Sequence, residues 1–251
     1  MSDTAAQAAA LLLAARANPD HRLADLPEAL RPADRAEAYA IQHRIAAETG
    51  PIGGWKVGAA GPEIIQCGPM PAAGVTASPA TLSSTTHLLR GIEAEVAFRV
   101  GHDLPPRDTP YTRDEVVAAL ATAHPVIEVL ESRYRDADAI SPFSNLADTQ
   151  SHGGFVYGPG TADWHGIDFP HETVEQYVDG ALQMTHTGNP AGDMIRLVEW
   201  LANVGSVWAG GLKAGQFVTC GSWTGKTLIG ESSTARVRFP SLGEATVTYT
   251  K

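Results

Sequence analysis

The spacing of apolar residues changes character near residue 50. Before that point apolar positions recur at roughly helical intervals, which predicts an Ala-rich helix over residues 4–17 and a second helix over 32–50. Ser2 or Asp3 is expected to cap the first helix, and Gly50, which a proline follows, is expected to end the second. The first fifth of the chain is therefore predicted to be helical.

The rest of the chain carries short β-prone runs separated by glycine turns and polar loops. Two helical patterns interrupt these runs. One spans 112–123, where Thr112 and Glu115 have the spacing of a capping box, and the other spans 190–208. Strands are predicted at residues 53–59, 92–100, 125–134, 153–160, 214–225 and 235–250.

Helices followed by strands, with helical insertions, predict an α+β fold. The composition is that of a globular protein, since 43% of the 251 residues are hydrophobic and 18% are charged. We interpret the chain as a single catalytic domain over residues 1–251. In it, 1–50 form a helical N-terminal cap and 51–251 form a β-rich, metal-binding body.

Charge and hydropathy exclude several classes of partner. The formal net charge is −10 and Lys and Arg do not cluster, so we expect no nucleic-acid partner. No apolar run is long enough to span a membrane, and the run at 8–15 lacks the preceding positive charge of a signal peptide. Cys67 and Cys220 are far apart and suit a reducing compartment. A cytoplasmic protein is expected.

Two carboxylates interrupt the predicted strand "IEAEVAFRV". Residues at i and i+2 of a strand share a face, so Glu93 and Glu95 project together. Glu128 lies in the next apolar strand, and a helix at 112–123 would let the two strands become neighbours. Buried carboxylates that repel one another need compensation, and oxygen ligands favour Mg²⁺, Mn²⁺ or Ca²⁺ over zinc. A polar strand face open to water explains the spacing equally well.

Lys56 is the most unusual cation in the sequence. It lies in "GWKVG", a short apolar run with glycine on both sides. Burying an unpaired ammonium is costly, so Lys56 either has an anionic partner near a reaction centre or extends its charged end to the surface. Arg133 is predicted to form an ion pair with Glu131, the alternative being a contact with an anionic ligand. Four large aromatic residues are predicted to lie in the core: Trp55, Phe155, Trp200 and Trp208.

Six segments of the chain occur in an order that is familiar from one protein family. They are AEAYAIQ (36–42), GWKVG (54–58), IEAEVAFRVGHDL (92–104), PVIEVLESRY (125–134), LAD…SHGGFVYG (146–158) and GGLKAGQFVTCGSWTG (210–225). Together they resemble the 2-keto-4-pentenoate hydratases of the fumarylacetoacetate hydrolase superfamily. The resemblance implies the mixed β-roll or sandwich of the superfamily's C-terminal domain behind a helical N-terminal region, and a homo-oligomer.

In that superfamily a Glu-x-Glu pair and a later acidic residue bind Mg²⁺ or Mn²⁺. The resemblance therefore implies that Glu93, Glu95 and Glu128 are metal ligands. It also implies that Lys56 is a catalytic or substrate-contacting residue. The implied site resolves the two interpretations of the Glu-x-Glu spacing in favour of a metal.

The implied reaction is that of a hydro-lyase in aromatic catabolism, which adds water to a small 2-hydroxydienoate or 2-oxo-enoate such as 2-hydroxypenta-2,4-dienoate. A small anionic 2-oxo acid is thus the expected partner. Three alternatives remain open. They are a 4-oxalocrotonate-type decarboxylase, an acylpyruvate-type C–C hydrolase, for which His43 and Glu48 would be a poor His/Glu dyad, and a non-catalytic oxo-acid-binding or assembly partner.

Other candidate residues lie in two loops. Ser151 matches a family serine, and His152 replaces the next one, where it could act as an acid or base or could make a structural hydrogen bond. Ser222 and Thr224 could bind the substrate carboxylate, although ordinary turn chemistry explains them equally well. The chain departs from the family at Ala72, where hydratases carry an acid. Either His152 or another group replaces that acid, or the reaction is a related one.

Overall fold

The fold comes from a computed structural model that describes residues 3–59, 61 and 64–251. Its helices are α1 (Thr4–Ala17), α2 (Arg35–Glu48), α3 (Arg113–Ala119), α4 (Pro142–Ala147) and α5 (Met194–Trp200). Its strands are β1 (Ile52–Ala59), β2 (Ile65–Pro71), β3 (Val75–Ala77), β4 (Ala80–Ser83), β5 (Gly91–Val100), β6 (Leu120–Leu130), β7 (His152–Tyr157), β8 (Thr173–Val178), β9 (Ala181–Thr187), β10 (Phe217–Thr219), β11 (Thr227–Leu228), β12 (Thr234–Phe239) and β13 (Gly243–Thr250).

The described strands form two mixed sheets. The larger has the order β2-β1-β10-β5-β6-β7-β3, with β11 paired to β5, and the smaller has the order β4-β13-β12-β8-β9. β5 and β6 are long antiparallel neighbours in the larger sheet. Mixed sheets with a few helices confirm the predicted α+β fold class.

Residues of both sheets meet in the largest hydrophobic cluster, which includes Ile92, Val96, Val237 and Val247. A second cluster joins α1, α2 and α4 through Leu12, Ile41 and other side chains. The N-terminal helices are therefore held by α4 from the middle of the chain. None of the described helices is long and apolar enough to cross a membrane.

The N-terminal helices agree with the sequence analysis. α1 begins after Asp3, whose side chain accepts a hydrogen bond from the backbone N–H of Ala6 at 3.1 Å, while Ser2 lies outside the described residues. Asp34 caps α2 in the same way by accepting from Glu37 N–H at 2.9 Å. Thr112 and Glu115 form the predicted capping box of α3. The sequence predicts such helix starts correctly because the capping side chain and the backbone N–H that it binds are only three residues apart.

Other elements differ from their predicted bounds for reasons that lie elsewhere in the fold. The helix predicted at 112–123 ends at Ala119, because Leu120–His124 pair with β5. The helix predicted at 190–208 is shorter in the structure. α5 ends at Trp200, and a π-helical turn follows over Leu201–Gly205. Six of the described strands lie outside the predicted ranges. They are β2, which contains two prolines, and β3, β4, β8, β9 and β11.

The prediction that four aromatic residues lie in the core is wrong at one position. Trp55 and Phe155 are fully buried, and Trp200 packs against the core. Trp208, by contrast, is 39% exposed, and its ring stacks on His43 with the centroids 3.8 Å apart. The reason is that the chain leaves the helix before Trp208, so helical spacing no longer directs its side chain inward.

Candidate metal centre

Two neighbouring antiparallel strands bring the three predicted carboxylates together. In β5, Glu93 and Glu95 point to one face of the sheet because alternate residues of a strand share a face. Glu93 lies directly opposite Glu128 of β6 in the strand register. One carboxylate oxygen from each of the three residues lies within 4.8 Å of the others. The convergence that the sequence suggests is therefore present.

The face of the sheet that carries these carboxylates is apolar further along the strands. Glu95 and Glu128 are only 2% and 1% exposed. On their side of the sheet lies a buried cluster of Met70, Ala97, Val126, Phe155 and Phe217. Its members Ala97 and Val126 are two residues from Glu95 and Glu128, respectively, and so share their face. The carboxylates thus border a dry cluster, and the face is not an open polar surface.

Lys56 of β1 supplies the positive charge nearest to the carboxylates. Its Nζ donates to Glu128 Oε1 in a short contact and to the carbonyl oxygen of Gln150 at 2.9 Å. The residue is 8% exposed, so its charged end does not extend to the surface. Gly68 lies opposite Lys56 in β2, where a Cβ would come within 3.4 Å of Lys56 Cγ. The glycine leaves room for the aliphatic part of the lysine.

Thr219 of β10 holds the second carboxylate. Its buried hydroxyl donates to Glu95 Oε2 in a short contact. β10 pairs with β1 on one side, where Thr219 is opposite Lys56, and with β5 on the other. Three strands that are far apart in sequence therefore place Lys56, Thr219 and Glu95 on one face.

Burial and mutual repulsion dominate the electrostatics of the cluster. Burial raises the pKa of Glu93, and the charge of Glu128 raises it further. The pKa of Glu95 lies well above its usual range because of burial, Glu128 and Glu93, in that order. Burial acts in the same direction on Glu128, but Lys56 and His152 outweigh it and lower the pKa of that carboxyl. One ammonium does not neutralise three ionised carboxylates, and the raised pKa values of Glu93 and Glu95 reflect this excess of negative charge as well as burial.

The carboxylates form one wall of a cavity of about 300 Å³. Side chains from β1, β5 and β6 line its floor, and loops line its mouth. At the mouth, Lys226 Nζ lies 2.6 Å from Asp138 Oδ1. The lining residues include Lys56, Glu93, Glu95, Glu128, Leu89, Leu130, Asp138, Asn145, Gln150, Ser151, Ser222 and Lys226.

A strained turn before β7 forms another wall of this cavity. Thr149, Gln150 and Ser151 have φ values of 51°, 54° and 58°. This left-handed region is unfavourable for residues other than glycine. The turn presents the Gln150 carbonyl to Lys56 and the Ser151 side chain to the cavity, where Ser151 Oγ donates to Asn145 Oδ1 at 3.1 Å. Strain of this kind persists only where surrounding contacts hold it.

His152 lies behind the carboxylate cluster and does not line the cavity. It is 1% exposed, and its Nδ1 lies 3.8 Å from Glu128 Oε1, which is longer than a hydrogen bond. Burial lowers the pKa of His152 to about 4, against the opposing effect of Glu128. The neutral ring is therefore the dominant form at neutral pH.

The predicted ion pair of Arg133 with Glu131 is wrong. Arg133 is 2% exposed and pairs with Asp148 through a short contact from Nε to Oδ1. Glu131 pairs instead with Arg22 and accepts the backbone N–H of Leu89 at 2.8 Å. The partner of Arg133 is decided by the loop that returns before β7, and sequence proximity does not reveal it.

The two candidate residues in the loop after β10 make different contacts. Ser222 lines the cavity, and its hydroxyl accepts the backbone N–H of Gly225 at 2.9 Å. Thr224 is outside the cavity lining, and its hydroxyl accepts the backbone N–H of Ala94 at 3.0 Å. Ala72 lies in an exposed turn after β2, also outside the lining. Sequence reasoning missed Asn145, Asp138 and Lys226, which line the cavity and which only the tertiary fold brings there. It also missed the role of Thr219, which lies in a quoted family segment but whose contact with Glu95 no local spacing reveals.

The donor set fits a divalent cation that prefers oxygen ligands. All three candidate ligands are carboxylates, two of them nearly inaccessible to water. Mg²⁺, Mn²⁺ and Ca²⁺ take such ligands, whereas zinc sites favour nitrogen and sulfur. A divalent charge also offsets the repulsion that raises the pKa of Glu93 and Glu95. An acidic cluster able to bind a divalent metal is thus present.

No protein-family model matches the chain. Three curated relatives match it in part. A 2-hydroxyhexa-2,4-dienoate hydratase from Comamonas testosteroni is 31% identical over 52% of this chain and 48% of its own length. A 4-oxalocrotonate decarboxylase from a Pseudomonas species is 26% identical over 63% and 60%. A 2-keto-4-pentenoate hydratase from Burkholderia vietnamiensis is 29% identical over 64% and 60%. The matches span about half to three fifths of these relatives.

Solved structures share the fold over most of the chain. The 4-oxalocrotonate decarboxylase from Pseudomonas putida G7, complexed with calcium and acetate, has a TM-score of 0.85 at 22% identity and covers 100% of this chain and 98% of its own. The same enzyme complexed with magnesium and adipate has a TM-score of 0.83 at 22% identity, with 97% of each chain covered. A fumarylacetoacetate hydrolase from Exiguobacterium antarcticum has a TM-score of 0.58 at 13% identity and covers 80% and 76%.

The fold is that of the fumarylacetoacetate hydrolase superfamily. Two of the partial sequence matches are hydratases of the kind that the motifs resemble, which confirms that resemblance over about half to three fifths of their length.

Proposed function

We propose that the chain is a metal-dependent hydratase that adds water to a small 2-hydroxydienoate or 2-oxo-enoate. One observation carries the proposal. Three carboxylates from β5 and β6 and the ammonium of Lys56 face the same cavity of about 300 Å³. Two of the curated relatives are hydratases named for dienoate or pentenoate substrates, which supports the substrate class.

Glu93, Glu95 and Glu128 would hold Mg²⁺ or Mn²⁺. Such an ion supplies Lewis-acid polarisation of the oxygens of a bound oxo acid. Magnesium in a solved structure of the same fold supports this choice of cofactor. Glu95 is held in place by Thr219 and Glu128 by Lys56, so neither side chain needs to reorganise when the ion binds.

Lys56 is the proposed proton-transfer residue. Lys56 lines the cavity, and its Nζ is fixed there by the hydrogen bonds that it donates to Glu128 and to the Gln150 carbonyl. A positioned acid or base that reaches the substrate contributes roughly 10²–10⁴ in rate. We assign the proton transfers of ketonisation and water addition to Lys56, since Ala72 carries no acid and lies outside the cavity.

Hydroxyls at the cavity are the proposed ligands of the substrate carboxylate. Ser151 is oriented by its hydrogen bond to Asn145, and Ser222 lines the same cavity from the loop after β10. Thr224 supports this site through the backbone of β5. His152 is assigned a positioning role behind Glu128, since it is buried and does not reach the cavity.

The proposal is tested by incubating the protein with Mg²⁺ and 2-hydroxypenta-2,4-dienoate. Loss of the dienol absorbance with formation of a hydrated keto acid is expected. Glu95→Gln should abolish Mg²⁺ binding in calorimetry while the far-UV spectrum stays unchanged. Glu244→Gln, on the exposed part of β13, is the control and should bind as the original chain does. Unchanged metal affinity in Glu95→Gln would refute the site.

A decarboxylase acting on a 4-oxalocrotonate-like dicarboxylate is the second candidate. One feature of the cavity favours it, namely the ammonium of Lys226 at the mouth, which could hold a second carboxylate if Asp138 moved aside. One curated relative is a decarboxylase of this kind. Release of CO₂ from such a substrate, without hydration of the monocarboxylate, would decide for this candidate.

The two remaining alternatives have less support. His43 stacks on Trp208, and neither His43 nor Glu48 lines the cavity, so nothing aligns them as the dyad of a C–C hydrolase. A non-catalytic oxo-acid-binding protein would bind Mg²⁺ and pyruvate in calorimetry and turn over neither the dienoate nor the dicarboxylate.

A further inference from the structure

A second, smaller cavity lies on the other side of the strained turn from the carboxylate cluster. It has a volume of about 130 Å³, and its walls come from the end of α1, the loop before β5 and the segment after β6. Three arginines line it, namely Arg16, Arg22 and Arg133. Glu131 is the carboxylate among its lining residues. We call it the arginine cavity.

The charges around the arginine cavity do not balance. Arg133 is paired with Asp148 and Arg22 with Glu131. Arg16 donates only to neutral oxygens, the Thr149 hydroxyl and the His152 carbonyl, each at 3.4 Å. Within the described part of the chain, no carboxylate lies within ion-pair distance of Arg16. Three guanidiniums therefore face two carboxylates.

The imbalance acts on Arg16. The nearby guanidinium of Arg133, and then burial, lower the pKa of Arg16 to about 9, although Asp148 opposes them. Arginine is normally charged at all accessible pH values. A half-buried guanidinium that is destabilised by a second one is a position where an added negative charge is favourable.

We propose that the arginine cavity binds a small oxyanion, of the phosphate or carboxylate type, and thereby stabilises the turn at 149–152. The volume sets the size, since a water molecule in the liquid takes up roughly 30 Å³. Inorganic phosphate or acetate fits, whereas a nucleotide does not. The planar donor groups of guanidinium match both anions.

The donors that would hold the anion also hold the turn. Arg133 Nη1 donates to the His152 carbonyl at 2.8 Å, and Arg16 donates to the same carbonyl and to Thr149. The turn in turn presents the Gln150 carbonyl to Lys56. An anion that fixes Arg16 and Arg133 therefore acts on the strained backbone from the side opposite to the carboxylates. This inference does not depend on the proposed reaction.

Calorimetry of the intact chain with inorganic phosphate tests the binding, against sodium chloride at equal ionic strength. Saturable binding is expected, with a rise in Tm of about 3 °C at roughly ten times the Kd. Arg16→Gln should weaken binding by roughly 10- to 100-fold, the effect of removing a charge-assisted hydrogen bond. Arg44→Gln, an exposed arginine of α2 paired with Asp3, is the control and should bind normally.

Acetate is titrated in parallel. Binding of either anion supports the oxyanion site, and the tighter of the two shows whether the site prefers a phosphate or a carboxylate. No saturable heat with either anion on the original chain would overturn the proposal without reliance on any variant. Equal responses in Arg16→Gln and Arg44→Gln would also overturn it, because they would indicate general screening. Amide hydrogen exchange tests the second part of the proposal, that the bound anion stabilises the turn at 149–152. Protection at 149–152 should increase with phosphate, and saturable binding without added protection would refute the effect on the turn.

Discussion

Two charged regions of opposite sign lie on either side of one turn. On one side, Glu93, Glu95 and Glu128 share a single ammonium, and the surplus is negative. On the other side, three arginines share two carboxylates, and the surplus is positive. The turn at 149–152 separates them and contacts both. The comparison suggests that each region is completed by an ion that the chain does not supply, a cation in the first and an anion in the second.

The two regions also differ in how they are built. The carboxylates lie on long paired strands, whose ladder of hydrogen bonds fixes their positions. The arginines reach their cavity from α1, from a short turn after it and from the segment after β6, and long side chains define their positions. Removing a partner from the strand-built site leaves the other charges where they are. The same change in the arginine cavity can be relieved by side-chain movement.

The largest effect is expected from Lys56→Met, which leaves three carboxylates without their cation. Removing one partner of a buried ion pair costs about 3–5 kcal/mol of stability. Turnover should fall by roughly 10²–10⁴ as well if Lys56 transfers protons. Urea unfolding and dienoate turnover measure the two effects.

Lys213→Met serves as the control for this variant. Lys213 is exposed, and its contact with Asp103 is long, with Nζ 3.8 Å from Oδ2. Surface pairs of this kind contribute roughly 0–1 kcal/mol. A Lys56→Met protein as stable as this control would show that the negative surplus is not real. Partial recovery of its stability in Mg²⁺ would sharpen the comparison.

A somewhat smaller effect is expected from metal removal. A ligand that binds only the folded chain stabilises it by about 2.7 kcal/mol at one hundred times its Kd. Mg²⁺ should therefore raise the Tm of the original chain, and chelation should reverse the rise. Glu95→Gln should show neither change, and without metal it should be more stable than the original chain at neutral pH, because it removes the carboxyl whose pKa is raised by burial and by the charges of Glu128 and Glu93. A metal-free Glu95→Gln chain of lower stability would contradict the charge argument.

The strand-built region was largely predictable from the sequence, and the turn was not. Glu93 and Glu95 share a face because strands have a period of two, and Glu128 stands out in an apolar run. The turn at 149–151 contains no glycine or asparagine, the residues that usually announce a left-handed backbone. Its conformation is held by residues 16, 56 and 145, which no local pattern connects to it.

The same distinction applies to the fold. α1 was predicted to the residue and α2 to within three residues at each end, because their caps and apolar positions are local. The start of β6 was missed, because pairing with β5 overrides helical preference there. Thr219 was placed in a strand, yet its role on Glu95 depends on β10 lying between β1 and β5, an order that no sequence spacing reveals.

A third prediction concerns Gly153, where β7 leaves the turn. A Cβ at this position would lie 2.6 Å from Glu131 Cβ and 2.9 Å from its backbone nitrogen. Gly153→Ala should force the strands apart and cost about 1–3 kcal/mol, as overpacking does. Gly166→Ala is the control, since a Cβ there meets nothing within 4 Å. Urea midpoints at unchanged m values measure the difference, and equal midpoints would show that the close approach is not needed.

The smallest effect, and the one most specific to the turn, is expected from Gln150. Its φ of 54° costs a residue with a Cβ roughly 1–2 kcal/mol relative to the right-handed region, and its buried Oε1 has no hydrogen-bond partner in the part of the chain that the structure describes. Gln150→Gly removes both penalties and keeps the backbone carbonyl that accepts from Lys56, but it increases the freedom of the unfolded chain by roughly 0.5–1 kcal/mol. The net change should be a stabilisation of up to about 1 kcal/mol, whereas Gln150→Val, with its branched Cβ, should destabilise. Thermal unfolding of the two variants checks the order. If the glycine variant proves clearly less stable than the original chain, the Gln150 side chain contributes more to the turn than its backbone strain costs.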